Sequence, residues 1–255
     1  MRLAMPTSTL FHHFEEELSN YADIIELRGL GFNLPVDQSY LFHTKLNFVA
    51  KWGNSEKDHL QTFKNNYYIL GVSPHIFSRF RYQKRIRGGP PLLGLPMSLN
   101  EMLENARKNT NIIRRIFGEN VLIMPENIPY RRLSSYEVIT DADFITKIIT
   151  KNKINMLLDI PHAQITAFNK NIPFASYLNK LPLDKVKQIH FSSPIINNGG
   201  TYDAHNAPDN NMFSTLKSVL KLTPNVEFLT IEYYGNFRVL EEKLKKLRRI
   251  IDDYN

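Results

Sequence analysis

Cysteine is absent from the 255-residue chain. That excludes disulfides, zinc–thiolate sites, iron–sulfur clusters and a cysteine nucleophile. The absence fits a cytosolic protein, and a cytoplasmic location is the expectation. Long apolar runs are missing too. Stretches such as residues 154–160 (INMLLDI) fall far short of the roughly 18 residues that a membrane span needs. The opening residues, MRLAMPTSTLFHHFEEE, turn acidic before the apolar core of a signal peptide can form. Neither a G-x-x-x-x-G-K phosphate loop nor a G-x-S-x-G nucleophile elbow occurs. These gaps weaken the case for a nucleotide-binding doubly wound sheet and for a serine hydrolase.

Apolar residues, at 42%, are enough for a sizeable core, and the formal net charge is +7. That charge is compatible with an acidic peptide or a nucleic acid as partner, and equally with a plain solvated surface.

Two textures alternate along the chain. Short β-branched or aromatic runs occur at residues 2–7, 23–28, 40–45, 68–75, 120–126, 154–160, 186–191 and 227–233. Most are nearly continuous apolar runs, as parallel strands covered on both faces require. Between them lie segments with helical spacing. Residues 98–117 open on Ser98 and Glu101, a capping box, and place Met102, Leu103, Ala106, Ile113 and Ile116 on one stripe. Thr140 with Asp143 is expected to open another helix, with Ile145, Ile148 and Ile149 on its buried face. Residues 237–251 put Leu240, Leu244, Leu247 and Ile251 opposite Lys and Arg. Eight strands alternating with helices predict an α/β fold of the (β/α)8 TIM-barrel type, residues 1–255 forming a single domain. An open doubly wound sheet is the second possibility. It usually carries a glycine-rich turn after its first strand, where this chain has Ser8-Thr9-Leu10.

A parallel barrel builds its site at the C-terminal ends of its strands. Those ends carry His43, His75, Glu126, Asp159, His162, His190 and Glu232, with Asp203 and His205 in the loop after the seventh strand. Each residue alone has an ordinary role as a core histidine, a cap or a turn former. All nine falling at corresponding positions on six successive strands is harder to explain that way. Carboxylates in apolar strands are costly unless paired or bound to a cation. Imidazole mixed with carboxylate suits Zn, Mn or Fe, and nine ligands imply two or three ions. His12, His13 and His59 fall on predicted helices and read as surface or packing residues. A glycosidase using Glu126 and Glu232 would not need five of the eight histidines.

The segments Glu126-Asn-Ile-Pro-Tyr, Leu157-Leu-Asp-Ile-Pro-His162, Ile189-His190, Asp203-Ala-His205 and Thr230-Ile-Glu232 resemble those of the multinuclear non-haem iron-dependent oxidases. Ser73-Pro74-His75 is similar to that family's Ser-Asp-His segment, and Asp203-Ala-His-Asn-Ala-Pro208 to its Asp-x-His-Gly-x-Pro segment. The likeness spans about residues 40–235. It implies a xylose-isomerase-like barrel that modifies ribosomally made precursor peptides, typically at cysteine. It implies two or three iron ions (Fe2+/Fe3+), dioxygen as co-substrate, and in many members a small partner protein that holds the precursor's leader. Carried onto this chain, His43, His75 and Glu126 would bind one iron. Glu126 would bridge to a second, held also by Asp159, His190 and Glu232. His162, Asp203 and His205 would form a third site. Glu126, Asp159 and His190 are the expected catalytic residues.

Departures from the family are Pro74, where Asp is usual, His162, where Asn is common, and Ser192, where Gly is frequent. The same ligand order also resembles endonuclease IV-like barrels, which hold three zinc ions and cleave abasic DNA. That reading, and a sugar isomerase-like metal barrel, stay open. A basic stretch with Arg79, Arg81, Lys84, Arg85 and Arg87 follows His75 directly. It reads as a rim that would bind an acidic peptide segment, or phosphate under the nuclease reading.

Overall fold

The computed structural model describes all residues except 33, 36, 81, 82, 85–91, 94, 133, 134, 198 and 255. Among the described residues an eight-stranded parallel sheet forms from β1 (Arg2–Pro6), β2 (Ile24–Leu27), β3 (Ser39–Asn47), β4 (Tyr68–His75), β5 (Leu122–Ile123), β6 (Met156–Asp159), β7 (Val186–Phe191) and β8 (Phe228–Ile231). Its order is β5-β4-β3-β2-β1-β8-β7-β6, so each strand lies beside its neighbours in sequence and β1 pairs with β8. The ring closes between β5 and β6. The amides of Asn155 and Leu157 donate to the carbonyls of Ile123 (3.0 Å) and Pro125 (3.2 Å), and Glu126 bridges to both His75 and Leu157. This is the (β/α)8 barrel that the sequence predicts.

The eight apolar runs are the eight strands, for a reason the packing makes plain. One face of each strand meets helices. Leu3, Met5, Ile25, Leu27, Phe42, Ile189 and Ile231 lie in the large core that also holds Leu60 and Phe63, Ile145 and Ile148, and Leu240 and Leu244 of three surrounding helices. The alternate residues fill the barrel axis, where Ala4, Ile24, Leu41, Met124, Leu157 and Phe228 form a second cluster. Side chains two positions further along a strand point the same way. Above that apolar floor therefore stand Glu26, His43, Glu126, Asp159 and Thr230.

The helices follow their sequence signals with one exception. Ser98 accepts from the Glu101 amide at 3.2 Å and opens Leu99–Phe117. The C-terminal helix is Phe237–Tyr254. The helix expected from Thr140 starts instead at Ala142, with Asp141 at its N-cap. Thr140 belongs to the preceding turn, where its hydroxyl donates to the Tyr136 carbonyl (2.9 Å). The loop after β7 is an antiparallel hairpin of Ser193–Asn197 and Gly200–Asn206. No helix among the described residues is long and apolar enough to cross a membrane.

Candidate metal centre

All nine predicted residues stand at the C-terminal end of the barrel, and they converge. Glu126 is the hub. Its Oε2 lies 2.7 Å from His75 Nε2 and 3.5 Å from His43 Nε2. Its Oε1 lies 3.2 Å from His190 Nδ1 and 3.8 Å from His162 Nδ1. By position alone, donors of His43, His75 and Glu126 could share a cation, as could donors of Glu126, Asp159 and His190. Glu232 Oε1 is 3.5 Å from His190 Nδ1, while its Oε2 is 3.4 Å from His205 Nε2. Both His162 Nε2 (3.1 Å) and His205 Nε2 (3.0 Å) reach the same oxygen of Asp203. The hairpin after β7 is what carries Asp203 and His205 over the barrel mouth.

Local structure sets each orientation. Asp159 ends β6 and caps the helix Ile160–Asn169, its Oδ1 accepting from the His162 amide at 2.6 Å. Pro161 occupies the first helical turn, where a missing N–H costs nothing. This is why Asp-Ile-Pro-His puts an acid and an imidazole together. Asn127 takes over where β5 ends. Its side-chain amide donates to the Asp159 carbonyl (3.0 Å) and accepts from the Asp159 amide (2.9 Å), as a neighbouring strand would. Two histidines have one nitrogen tied to backbone: His75 Nδ1 to the Thr44 carbonyl (2.9 Å) and His162 Nδ1 to the Asn127 carbonyl (2.8 Å). A carbonyl only accepts, so Nδ1 donates there and Nε2 is the nitrogen turned toward the site.

The electrostatics show an excess of acid. Burial, then the Arg28 guanidinium, push the His43 imidazole well down. Burial raises the Glu126 carboxyl, but His75 and His43 outweigh it and hold it well below the carboxylate range. Burial likewise raises Glu232, and Arg28 and His190 overcome it. Asp159 goes the other way. Burial lifts it, and the neighbouring Glu126, Asp203 and Glu232 carboxylates add to that against His162. Burial lowers His162 and His205, yet Asp159 and Asp203 hold the first up at about 10, and Asp203 and Glu232 do the same for the second. Without a cation, protons on these groups offset the negative charge.

Five buried polar atoms of the set have no hydrogen-bond partner: His43 Nδ1, Glu126 Oε2, Asp159 Oδ2, His190 Nδ1 and Asp203 Oδ1. An orphaned buried acceptor costs about 1–3 kcal/mol. Five in one place, on imidazoles and carboxylates, form a donor set that transition-metal ions would satisfy. The residues fit metal ions.

Sequence reasoning missed four members of the site. Glu26 and Arg28, at the end of β2, lie within it. Arg28 Nη2 donates to Glu26 Oε1 at 2.6 Å and also pairs with Glu232. Ile24-x-Glu26 repeats the spacing of Leu41-x-His43 and Met124-x-Glu126, a floor residue followed two places on by a polar one. That signal was available. Gln188 and Tyr234 are further members. The Tyr234 hydroxyl donates to Glu232 Oε1 at 3.3 Å.

The expected basic rim is only partly visible. Arg81, Arg85 and Arg87 lie outside the described residues. Lys84 pairs through its backbone with Leu92, and Arg79 lies 3.8 Å from Glu137. His12 and His13 are on a helix at the surface, and His59 packs against Phe42 and Phe63. A cavity of about 720 Å3, lined by Arg2, Asp23, Ile24 and Ser39, opens at the other end of the barrel, away from this chemistry.

Comparison with known proteins agrees with the architecture. A D-tagatose 3-epimerase-like protein superposes over 100% of this chain and 97% of its own, with a TM-score of 0.60 and 18% identity. An AP endonuclease, family 2, from Brucella melitensis covers 91% of this chain and 92% of its own, with a TM-score of 0.55 and 12% identity. At such identities they show the fold alone. A UPF0276 protein of Caulobacter sp. (strain K31) is 24% identical over 153 residues, 58% of this chain and 53% of that protein. Another, from Acaryochloris marina (strain MBIC 11017), is 27% identical over 97 residues, 38% and 34% of the two chains. The chain thus spans about half or less of the curated relatives it matches. Residues 50–253 match the model of the RiPP precursor modification enzymes MbnB/TglH/ChrH, enzymes acting on ribosomally made peptide precursors, and the chain belongs to that family.

Proposed function

We propose that this chain, acting as one domain, is a multinuclear non-haem iron oxidase that uses dioxygen to modify a ribosomally made precursor peptide, at cysteine. The observation that carries the reading is the sharing of one carboxylate, Glu126, between two groups of converging donors. A ligand shared in this way serves ions held close together. His43, His75 and Glu126 would hold one ion. Glu126, Asp159, His190 and Glu232 would hold a second, and His162, Asp203 and His205 a third. When bound, iron supplies the one-electron chemistry with dioxygen that no side chain of this chain offers.

The chain's own residues position and seclude. Glu26, Glu126, Asp159, His190 and Glu232 are almost fully buried, while His75 and His205 are partly exposed and mark the open side. The peptide would enter there. The chain has no cysteine, so the thiol reaching the centre would be the substrate's, with no internal thiol to compete for oxidation. The basic segment after β4, Arg79 included, would take the acidic part of the precursor, with or without a small leader-binding protein. The test is metal analysis of protein purified without oxygen, followed by oxygen uptake with the peptide encoded beside the gene. Iron in the protein and peptide-dependent oxygen consumption support the reading. Tight zinc with cleavage of abasic DNA replaces it with the phosphodiesterase.

A further inference from the structure

By distance alone Glu26, His43 and His190 form one more group able to hold a cation. The hydrogen bonds around Glu26 decide otherwise. An ionised carboxylate offers about four acceptor positions. Glu26 Oε2 accepts from His190 Nε2 (2.9 Å), from the Thr230 hydroxyl (3.2 Å) and from the Gln188 amide. Glu26 Oε1 accepts from Arg28 Nε (2.8 Å) and Nη2 (2.6 Å). Every lone pair is engaged, and the residue is fully buried. Nothing is left with which to bind a metal.

The same bonds define the His190 ring. Glu26 Oε2 can only accept, so Nε2 carries a proton and Nδ1 is the nitrogen left to take a metal. That Nδ1 has no hydrogen-bond partner and looks toward Glu126 Oε1 and Glu232 Oε1. Arg28 then ties the anchor to a ligand, because one guanidinium nitrogen contacts both Glu26 Oε1 and Glu232 Oε1. The backbone holds Arg28 in turn: its amide donates to the Thr7 hydroxyl (2.9 Å), and the Thr7 amide donates to the Glu26 carbonyl (2.8 Å).

We propose that Glu26 and Arg28 are positioning residues of the metal centre. Glu26 fixes the His190 tautomer with Nδ1 toward the metal, and Arg28 balances the Glu26 charge while setting the direction of Glu232. β2 thus supplies no ligand, yet it orients ligands borne by β7 and β8. The proposal rests on the metal reading of the site. It is independent of whether the metal is iron and whether dioxygen is used.

The test uses zinc(II) as probe, so oxidase chemistry plays no part. A chelator-competition titration compares wild type with Glu26→Gln, which keeps the size and removes the charge, and with Glu26→Asp, which keeps the charge. Loss of a carboxylate partner behind a metal-bound imidazole typically weakens binding by about 10–100-fold. We expect that loss in Glu26→Gln, partial recovery in Glu26→Asp, and a cooperative thermal transition in both. Unchanged zinc affinity in a folded Glu26→Gln protein overturns the proposal. A second measurement needs no variant. In a crystal of zinc-loaded wild type, anomalous scattering should place an ion on His190 Nδ1 and none on Glu26. An ion bonded to Glu26 or to His190 Nε2, or none on His190, overturns it equally.

Discussion

Replacing Glu126 by glutamine tests the centre at the atom where its groups meet. The substitution keeps the shape and removes one anionic oxygen, leaving an amide nitrogen that cannot bind metal. Glu126 Oε2 faces His75 and His43, and Oε1 faces His190, so both adjoining groups lose a ligand at once. A site saturated at a hundred times its dissociation constant stabilises the folded state by about 2.7 kcal/mol. For a chain of this size each kcal/mol moves the melting temperature by about 2–4 °C. Wild type should therefore gain roughly 5–10 °C per occupied site when ferrous iron is added without oxygen. The variant should lose that gain for two sites and keep at most one equivalent of metal, at His162, Asp203 and His205. The metal-free baselines will also differ. The folded-state depression of the Glu126 carboxyl, which His75 and His43 impose against burial, contributes stability above the usual carboxylate range. The quantity to compare is thus the metal-induced shift. Anaerobic thermal melts and metal analysis per chain measure both. Full metal content with an unchanged shift in Glu126→Gln would refute the shared-carboxylate reasoning.

Four further outcomes follow. Asn127→Ala removes two hydrogen bonds to the Asp159 backbone and leaves a buried N–H and C=O unpaired, at a cost of about 2–4 kcal/mol; a thermal melt within 2 °C or so of wild type would count against it. Gly71→Ala sets a methyl group 2.8 Å from Met124 Cε and 3.2 Å from Leu41 Cδ2 in the barrel floor. Overpacking of about 1 kcal/mol should lower the melting temperature by about 2–4 °C, and a rise contradicts the packing. Asp23 is pushed up by burial but held below its ordinary value by Arg248 and the Leu3 amide. Its pairing thus stabilises fully above the unfolded carboxyl pKa and is lost as pH falls through the folded one. Arg248→Ala should cost about 0.5–1 kcal/mol at neutral pH, shrinking toward pH 2 in urea midpoints. Finally, with His162 and His205 held up at about 10 in the metal-free protein, metal binding near pH 7 must release protons. Calorimetry in two buffers of different ionisation enthalpy should show the release, with affinity rising as pH increases. Buffer-independent heats would refute it.

The barrel was legible because parallel strands with both faces covered leave unbroken apolar runs, and each of the eight runs overlaps its strand. The ligands were legible because an acid or imidazole closing such a run has few ordinary explanations. Glu26 escaped for a physical reason. Arg28 stands two residues on, and an acid beside a base in Glu-Leu-Arg looks like a surface ion pair. Only the fold shows that the pair is turned inward. The hairpin carrying Asp203 and His205 read as a loop because Asn-Asn-Gly-Gly dominates its centre. Asn197 and Gly200 instead pair across the hairpin, followed by Ile196 with Thr201 and Ile195 with Tyr202. The helix boundary near Thr140 failed because Thr140 and Asp141 both suit an N-cap, and only the packing of the preceding turn chooses between them.

The join between β5 and β6 has a consequence for the protein's dependence on its surroundings. β5 contributes two regular residues, and the ring is completed there by single bridges and the Asn127 amide. Glu126 and Asp159, the acids on either side of that join, are both proposed ligands of the same ion. A cation held by both would fasten the join at the least regular part of the wall. Metal supply would then govern the durability of the protein as well as its chemistry. A cell short of metal would hold a looser barrel, more open to proteolysis, and the enzyme's abundance would follow the availability of its cofactor.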